Sequence, residues 1–186
     1  MPVSIKICVF CGSGAGNNAA YAQAALAMGK LMAQHQATLI YGGGNIGLMG
    51  IIADAVLANG GKVIGVIPEF LMQKEVGHKG LTELEVVGSM HERKRRMADL
   101  ADVFVALPGG WGTLDELAEI LTWRQLGLVK APVAILNTNQ YFDMLLKQME
   151  VMVMEGFLSA ENLANLIVTE TPEVLLAQID ALTKHS

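Results

Sequence analysis

The sequence predicts an α/β fold, one doubly wound parallel sheet of about seven strands flanked by helices in a single domain. Three observations carry that expectation. Short β-branched runs alternate with longer helical patterns from Ser4 onward, which is how successive βαβ units read. The 186 residues suffice for one substantial core and fall short of two ordinary domains. No Pro/Ser/Gly-rich linker, low-complexity tract or internal repeat divides them.

Taken in order, the first strand is expected over residues 5–10, followed by an Ala-rich helix over 19–34. A strand over 38–41, a helix over 48–58 and a strand over 63–67 continue the alternation. The least regular stretch, 68–80, carries Glu69, Lys74, Glu75, His78 and Lys79. It follows a strand end, the edge where open α/β sheets bind ligands, and reads either as a lid or substrate loop or as a plain surface connection. Strands are then expected over 84–87, 103–106, 133–136 and, briefly, 166–168. Helices over 90–100, 113–126 and 142–155 separate them, and a last helix follows Thr171, a natural N-cap with Pro172 at its first position. Such an order of elements is Rossmann-like.

Composition narrows the function classes. Apolar residues make up 52% of the chain and charged residues 17%, which excludes a disordered, highly charged protein. So few charges also point to an oligomer, because monomers rarely leave large apolar patches in water. The net charge of −5 argues against wrapping nucleic acid. Residues 7–29 and 31–53 lack formal charge, but glycine clusters and Asn, Gln or His break both, so neither reads as a membrane span. The start, Met-Pro-Val-Ser-Ile-Lys, lacks a basic stretch followed by an apolar core, so the cytoplasm is the expected location. Cys8 and Cys11 form a CxxC on a strand, where i and i+3 face opposite sides; a reduced, core-filling pair is expected rather than a redox couple.

Three glycine-rich turns each follow a strand and precede a helix: Gly12-Ser13-Gly-Ala-Gly16, Gly42-Gly43-Gly44-Asn-Ile-Gly47 and Pro108-Gly109-Gly110-Trp111-Gly112. Glycine lets the backbone approach an anion closely, and the following helix offers unpaired N–H groups. Together they read as a cradle for a phosphorylated ligand. The second turn also fits G-x-G-x-x-G, and Glu69 lies 22 residues past Gly47, which keeps a dinucleotide-binding oxidoreductase open as an alternative. A non-catalytic nucleotide-binding protein is a third reading.

Ser89-Met-His-Glu92 reads as a capping box ahead of Arg93-Lys94-Arg95-Arg96. At 100° per residue Met90, Met97, Leu100 and Ala101 form the apolar stripe, with Arg93 and Lys94 on its flanks and Arg95 pointing away. A guanidinium turned toward the sheet needs an anionic partner, either a carboxylate or a ligand phosphate. Thr113-Leu114-Asp115-Glu116 reads as a second capping box, which leaves Glu116 divided between helix cap and catalytic acid.

The segment Pro108-Gly-Gly-Trp-Gly-Thr-Leu-Asp-Glu116 resembles the PGGxGTxxE signature of the Lonely Guy (LOG) family, the cytokinin riboside 5′-monophosphate phosphoribohydrolases. Met90-His-Glu-Arg-Lys94 is similar to that family's second motif, and the likeness runs from Val9-Phe-Cys-Gly-Ser13 to Thr122-Trp-Arg-Gln-Leu-Gly127. The resemblance implies a nucleotide-binding hydrolase domain over 1–186, with Arg93 and Glu116 as the catalytic pair and no cofactor or metal. It also implies substrate contacts from Glu75, Lys94, the 110–116 loop including Leu114 and Asp115, and Thr122, which add to Gly12, Ser13, Gly43, Gly44 and Gly109 of the glycine cradle. Trp111 stands where Tyr is common, and Arg95-Arg96 follows the second motif; both bear on substrate preference. A lysine decarboxylase label used for relatives finds no lysine here in a pyridoxal-phosphate context. The expected reaction is hydrolysis of the N-glycosidic bond of a purine nucleoside 5′-monophosphate by a homodimer, with helices 90–100 and 113–126 contributing the contact.

Overall fold

The computed structural model describes residues 4–72 and 77–183, and within them the expected strands form one sheet. The strands are β1 (Lys6–Phe10), β2 (Thr38–Tyr41), β3 (Lys62–Pro68), β4 (Glu83–Val87), β5 (Val103–Ala106), β6 (Val133–Leu136) and β7 (Leu166–Thr169). The sheet has seven strands in the order β4-β3-β2-β1-β5-β6-β7, and every pairing is parallel. The helices are α1 (Ala19–Gln34), α2 (Gly47–Ala58), α3 (Met90–Leu100), α4 (Trp111–Gln125), α5 (Asp143–Met154), α6 (Ala160–Ala164) and α7 (Pro172–Thr183). None is long and apolar enough to cross a membrane.

Alternation along β1 assigns the two faces. Ile7, Val9 and Cys11 pack with Met28 of α1, Ile52 of α2 and Leu175 of α7. Cys8 and Phe10 pack on the other side with Met97 of α3 and Leu117 and Ile120 of α4. A parallel strand buried on both faces therefore reads as a continuous apolar run, and each large side chain so buried contributes roughly 1.5–3 kcal/mol relative to exposure. The two cysteines are free, buried and in separate clusters, as their spacing on a strand requires.

Helix starts follow from local chemistry, with one departure from the sequence reading. Asn18 caps α1 by accepting from Ala20 N–H, and Ser89 Oγ accepts from Glu92 N–H to start α3. Glu92 reaches back to the Gly88 N–H, one residue earlier than an ordinary capping box would take it. The expected box at Thr113 does not form. α4 begins at Trp111 with Gly110 as N-cap and no side-chain cap, so Thr113 and Glu116 lie inside the helix. The dipeptide Gly-Trp gives no capping signal, while Thr-x-x-Glu imitates one. The five-residue α6, capped by Ser159, is too short to have stood out by periodicity.

The order of strands creates the site. From β1 the chain steps outward through β2 and β3 to β4, then returns to place β5 on the other side of β1. That reversal leaves a crevice between the carboxyl ends of β1 and β5. The three glycine turns follow β1, β2 and β5, which are consecutive neighbours, so all three lie at this edge of the sheet.

Candidate active site

The turns after β1 and β5 are bonded to one another before any ligand is considered. Leu107 N–H donates to Phe10 carbonyl and Gly12 N–H to Pro108 carbonyl, extending the ladder past both strand ends. Leu48 N–H, at the start of α2, donates to Gly12 carbonyl and closes the turn against the second helix. Packing accounts for part of the glycine content. A Cβ on Gly47, whose φ is +58°, would lie 2.3 Å from Ser13 carbonyl carbon, and one on Gly109 would lie 2.0 Å from Thr113 Oγ1. The remaining glycines are of another kind. A Cβ on Gly14, Gly110 or Gly112 would meet nothing within 4 Å. Gly110 and Gly112 line a cleft of about 220 Å³ at the start of α4 and leave the backbone there accessible.

Arg93 and Glu116 both line this cleft. The helical spacing that placed Arg93 beside the apolar stripe of α3 holds: it is 5% exposed, whereas Arg95 lies outward in an ion pair with Asp99. Its Nε donates to Val66 carbonyl at 3.0 Å and its Nη2 to Gly42 carbonyl at 2.7 Å. These carbonyls belong to β3 and to the turn after β2, so the guanidinium is fixed in the floor of the site by main chain. A Cβ on Gly42 would lie 2.0 Å from Nη2, so any larger residue there has to displace the guanidinium. Glu116 is half-buried on the first turns of α4, where it is free of any role as a cap. Both charges are felt by the Cys8 thiol beneath them. Burial pushes that thiol well above its ordinary range, the Glu116 carboxylate raises it further, and Arg93 opposes.

Of the other expected site residues, Gly12, Ser13, Trp111 and Thr113 also line the cleft. Trp111 is 88% exposed at the mouth. Thr113 is buried, and its Oγ1 has no protein hydrogen-bond partner, an unusual condition for a hydroxyl. Gly109 faces an adjoining cavity of about 350 Å³ that shares Gly12, Ser13 and Gly110 with the cleft. Gly43 and Gly44 are drawn elsewhere: both are buried, with Gly43 carbonyl accepting from His78 N–H and Gly44 bridged to Gly77. Within the G-x-G-x-x-G turn, Gly42 lines the cleft while Gly43 and Gly44 are thus covered by the chain's own 77–78 segment, which counts against the dinucleotide reading.

Lys94 turns away from the cleft to bond Asp115 at 3.2 Å and Glu119 at 3.1 Å, stitching α3 to α4. Burial lowers its affinity for the proton, but the two carboxylates outweigh that and hold it above the usual lysine value. Leu114 packs into the core, and Thr122 bonds Ala118 carbonyl beside a separate apolar cavity between α4, α5 and β7. Glu75 lies outside the described residues. Gly42 and Met90, which also line the cleft, belong to the second glycine turn and to the α3 stripe read from the sequence, whereas Met49 of α2 at the cleft and Tyr141 at the adjoining cavity were not marked as site residues. Among the described residues no three His, Cys, Asp or Glu side chains group as a metal site.

Comparison with known proteins adds to this geometry. Residues 49–179 match a family described as possible lysine decarboxylase. The chain is 45% identical over 175 residues to the cytokinin riboside 5′-monophosphate phosphoribohydrolase LOG of Oryza sativa subsp. japonica, covering 94% of this chain and 72% of that one. It is 45% identical over 179 residues to the cytokinin riboside 5′-monophosphate phosphoribohydrolase of Rhodococcoides fascians, covering 96% and 90%. The Moco carrier protein from Chlamydomonas reinhardtii superposes with a TM-score of 0.74 at 22% identity over 98% of this chain and 99% of that one, a likeness of fold.

Proposed function

The chain belongs to the LOG family of phosphoribohydrolases, and on that footing we propose that it hydrolyses a purine nucleoside 5′-monophosphate, AMP or an N6-prenylated cytokinin nucleotide, to free base and ribose 5-phosphate. The observation that carries this reading is the meeting of Arg93 and Glu116 in one crevice with the open start of α4. The first N–H groups of a helix lack intrahelical partners and carry its positive end, which suits a 5′-phosphate. The partnerless Thr113 hydroxyl and the unfilled space at Gly110 and Gly112 belong to the same place.

Glycosidic cleavage of this kind passes through an oxocarbenium-like state at C1′. Glu116 stabilises that positive charge and takes a proton from the attacking water. The C1′–N bond breaks with its electron pair leaving on the base, and the base gains a proton, so water is the only co-reactant. Arg93, held by two carbonyls, needs no rearrangement to face the substrate anion. Phosphate binding away from the broken bond orients it. The lysine decarboxylase description gains no support from Lys94, which shares a small crevice with Glu116 but is tied to Asp115 and Glu119.

A two-fold dimer accompanies this reading. Large apolar side chains lie exposed at the end of α4 and on and after α5, including Leu126, Leu128, Met144, Met154 and Phe157. The outer face of α3 is instead laced by Arg95–Asp99 and Arg96–Glu85 ion pairs, so α4 and α5 are the contact we favour. A cytoplasmic setting suits the two free thiols. The test is incubation with AMP, adenosine and isopentenyladenosine monophosphate, with chromatography of the products. Base release far faster from the nucleotides than from adenosine is expected; comparable turnover of adenosine refutes the phosphate cradle.

A further inference from the structure

We propose that Tyr141 is a positioning residue that sets the orientation of the Gly109–Gly110 peptide and thereby the phosphate preference of the site. The proposal rests on the nucleotide reading above and concerns a residue that touches neither of its charged groups.

Tyr141 stands between β6 and α5 in a connection of unusual backbone. Asn139 and Gln140 have φ of +53° and +59°, a left-handed conformation that non-glycine residues seldom adopt twice in succession. Asn137 holds the connection in place. Its Oδ1 accepts from Phe142 N–H at 2.7 Å, its Nδ2 donates to Asp143 at 2.8 Å, and its own N–H donates to Thr169 carbonyl at 2.7 Å. The result is a rigid arm that carries the tyrosine ring to the crevice. There the ring meets Tyr21 edge-on, with centroids 5.5 Å apart, and Phe142 likewise at 5.0 Å.

The Tyr141 hydroxyl donates to Gly109 carbonyl at 2.5 Å. On its other side Gly109 is hemmed in by Thr113 Oγ1 and Gly12 N, the atoms a Cβ would strike at 2.0 and 2.9 Å. The Gly109–Gly110 peptide is trans, so the N–H of Gly110 runs antiparallel to the carbonyl that Tyr141 holds. Gly110 lines both cavities. With the carbonyl drawn to Tyr141 and Gly110 lining both cavities, the opposed Gly110 N–H is directed to the cleft that Arg93 and Glu116 line, where the proposed function puts the phosphate. A reversed peptide would aim a carbonyl oxygen at the phosphate instead. Tyr141 therefore favours a donor over an acceptor at the one backbone unit that both cavities share.

The consequence is specific: loss of the hydroxyl weakens recognition of the 5′-phosphate and leaves chemistry at C1′ alone. Tyr141→Phe keeps the ring and both aromatic contacts and removes only the hydrogen bond. For the full-length chain, KM for AMP is expected to rise about three- to tenfold, the scale of one neutral hydrogen bond. The kcat should stay within about twofold, on the same reasoning. Adenosine turnover should be unchanged, so the ratio of AMP to adenosine efficiency falls by the same factor as KM rises. Calorimetric AMP and adenosine binding in a Glu116→Gln background, with and without Tyr141→Phe, separates this from the function reading. If the wild type releases no base but the AMP to adenosine affinity ratio still falls with Tyr141→Phe, hydrolysis is refuted and the positioning role stands. Because a ratio does not depend on the folded fraction, poor folding cannot imitate it. An unchanged ratio, equal losses for the two ligands, or no AMP binding by the parent protein overturns the proposal.

Discussion

Replacing Gly42 by alanine adds one methyl group to a residue with no functional side chain, and it should both loosen the fold and disable the site. The new Cβ would lie 2.0 Å from Arg93 Nη2 and 3.0 Å from Cζ. Non-bonded heavy atoms settle near 3.5 Å, so the guanidinium has to retreat by about 1.5 Å. That breaks its 2.7 Å bond to Gly42 carbonyl and disturbs the 3.0 Å bond to Val66 carbonyl. Bonds to a charged donor contribute about 1.5–3 kcal/mol each, so the loss of one to both destabilises by about 2–5 kcal/mol. In a chain of this size that lowers the Tm by roughly 5–15 °C. The backbone itself is not strained by the change, since Gly42 is not among the positive-φ glycines. Misplacing a positioned group by about 1 Å can cost on the order of 100-fold in rate, and a loss of that order in AMP hydrolysis is expected. Urea unfolding by circular dichroism gives the stability, and base release measured well below the unfolding onset gives the rate. A variant with wild-type midpoint and wild-type turnover refutes the account of Arg93 as fixed by main-chain carbonyls.

Two further outcomes follow from the charges around the site. Cys8 is raised by burial and by Glu116, so above its ordinary value of 9.0 the unfolded chain loses a proton that the folded chain keeps. Its contribution to stability is therefore present below that pH and lost above it, with a slope approaching about 1.4 kcal/mol per pH unit. Urea midpoints from pH 8 upward should show it, Cys8→Ala should remove it, and an identical slope in that variant would refute the assignment. Lys94→Ala should destabilise by about 1–2 kcal/mol, because it leaves Asp115 and Glu119 without their shared cation. Its KM for AMP should stay within about twofold, judged by the binding energy it supplies; a tenfold rise at unchanged stability would return Lys94 to the nucleotide.

Much of this was legible because one rule governed it. Strands buried on both faces leave continuous β-branched runs, and β2, β5 and β6 occupy the residues expected of them. The burial of Arg93 followed from its angle to Met90 and Met97, and the separation of Cys8 from Cys11 from strand alternation. What escaped depends on contacts between distant segments. The order of strands brings β5 beside β1, and nothing local states it. The pairing of Lys94 with Asp115 and Glu119 joins two helices that no local pattern places together. Gly43 and Gly44 looked open until residues 77–78 crossed over them. Thr113 and Glu116 carried a genuine capping pattern, overridden because the helix is capped three residues earlier on a bare glycine. Tyr141 acts through a hydroxyl on a main-chain carbonyl 32 residues away, which no pattern around it announces.

The central claim is that the Glu116 carboxylate acts in breaking the glycosidic bond, and Glu116→Gln tests it most directly. The substitution conserves shape and removes only the charge, on a residue with no capping duty. AMP is offered to both forms, with free adenine followed by chromatography and AMP affinity by calorimetry. The account predicts adenine release by the wild type, its near-complete loss in the variant, and AMP binding retained within a fewfold, as expected when an interaction made only in the transition state is removed. A variant that releases adenine at the wild-type rate would contradict it.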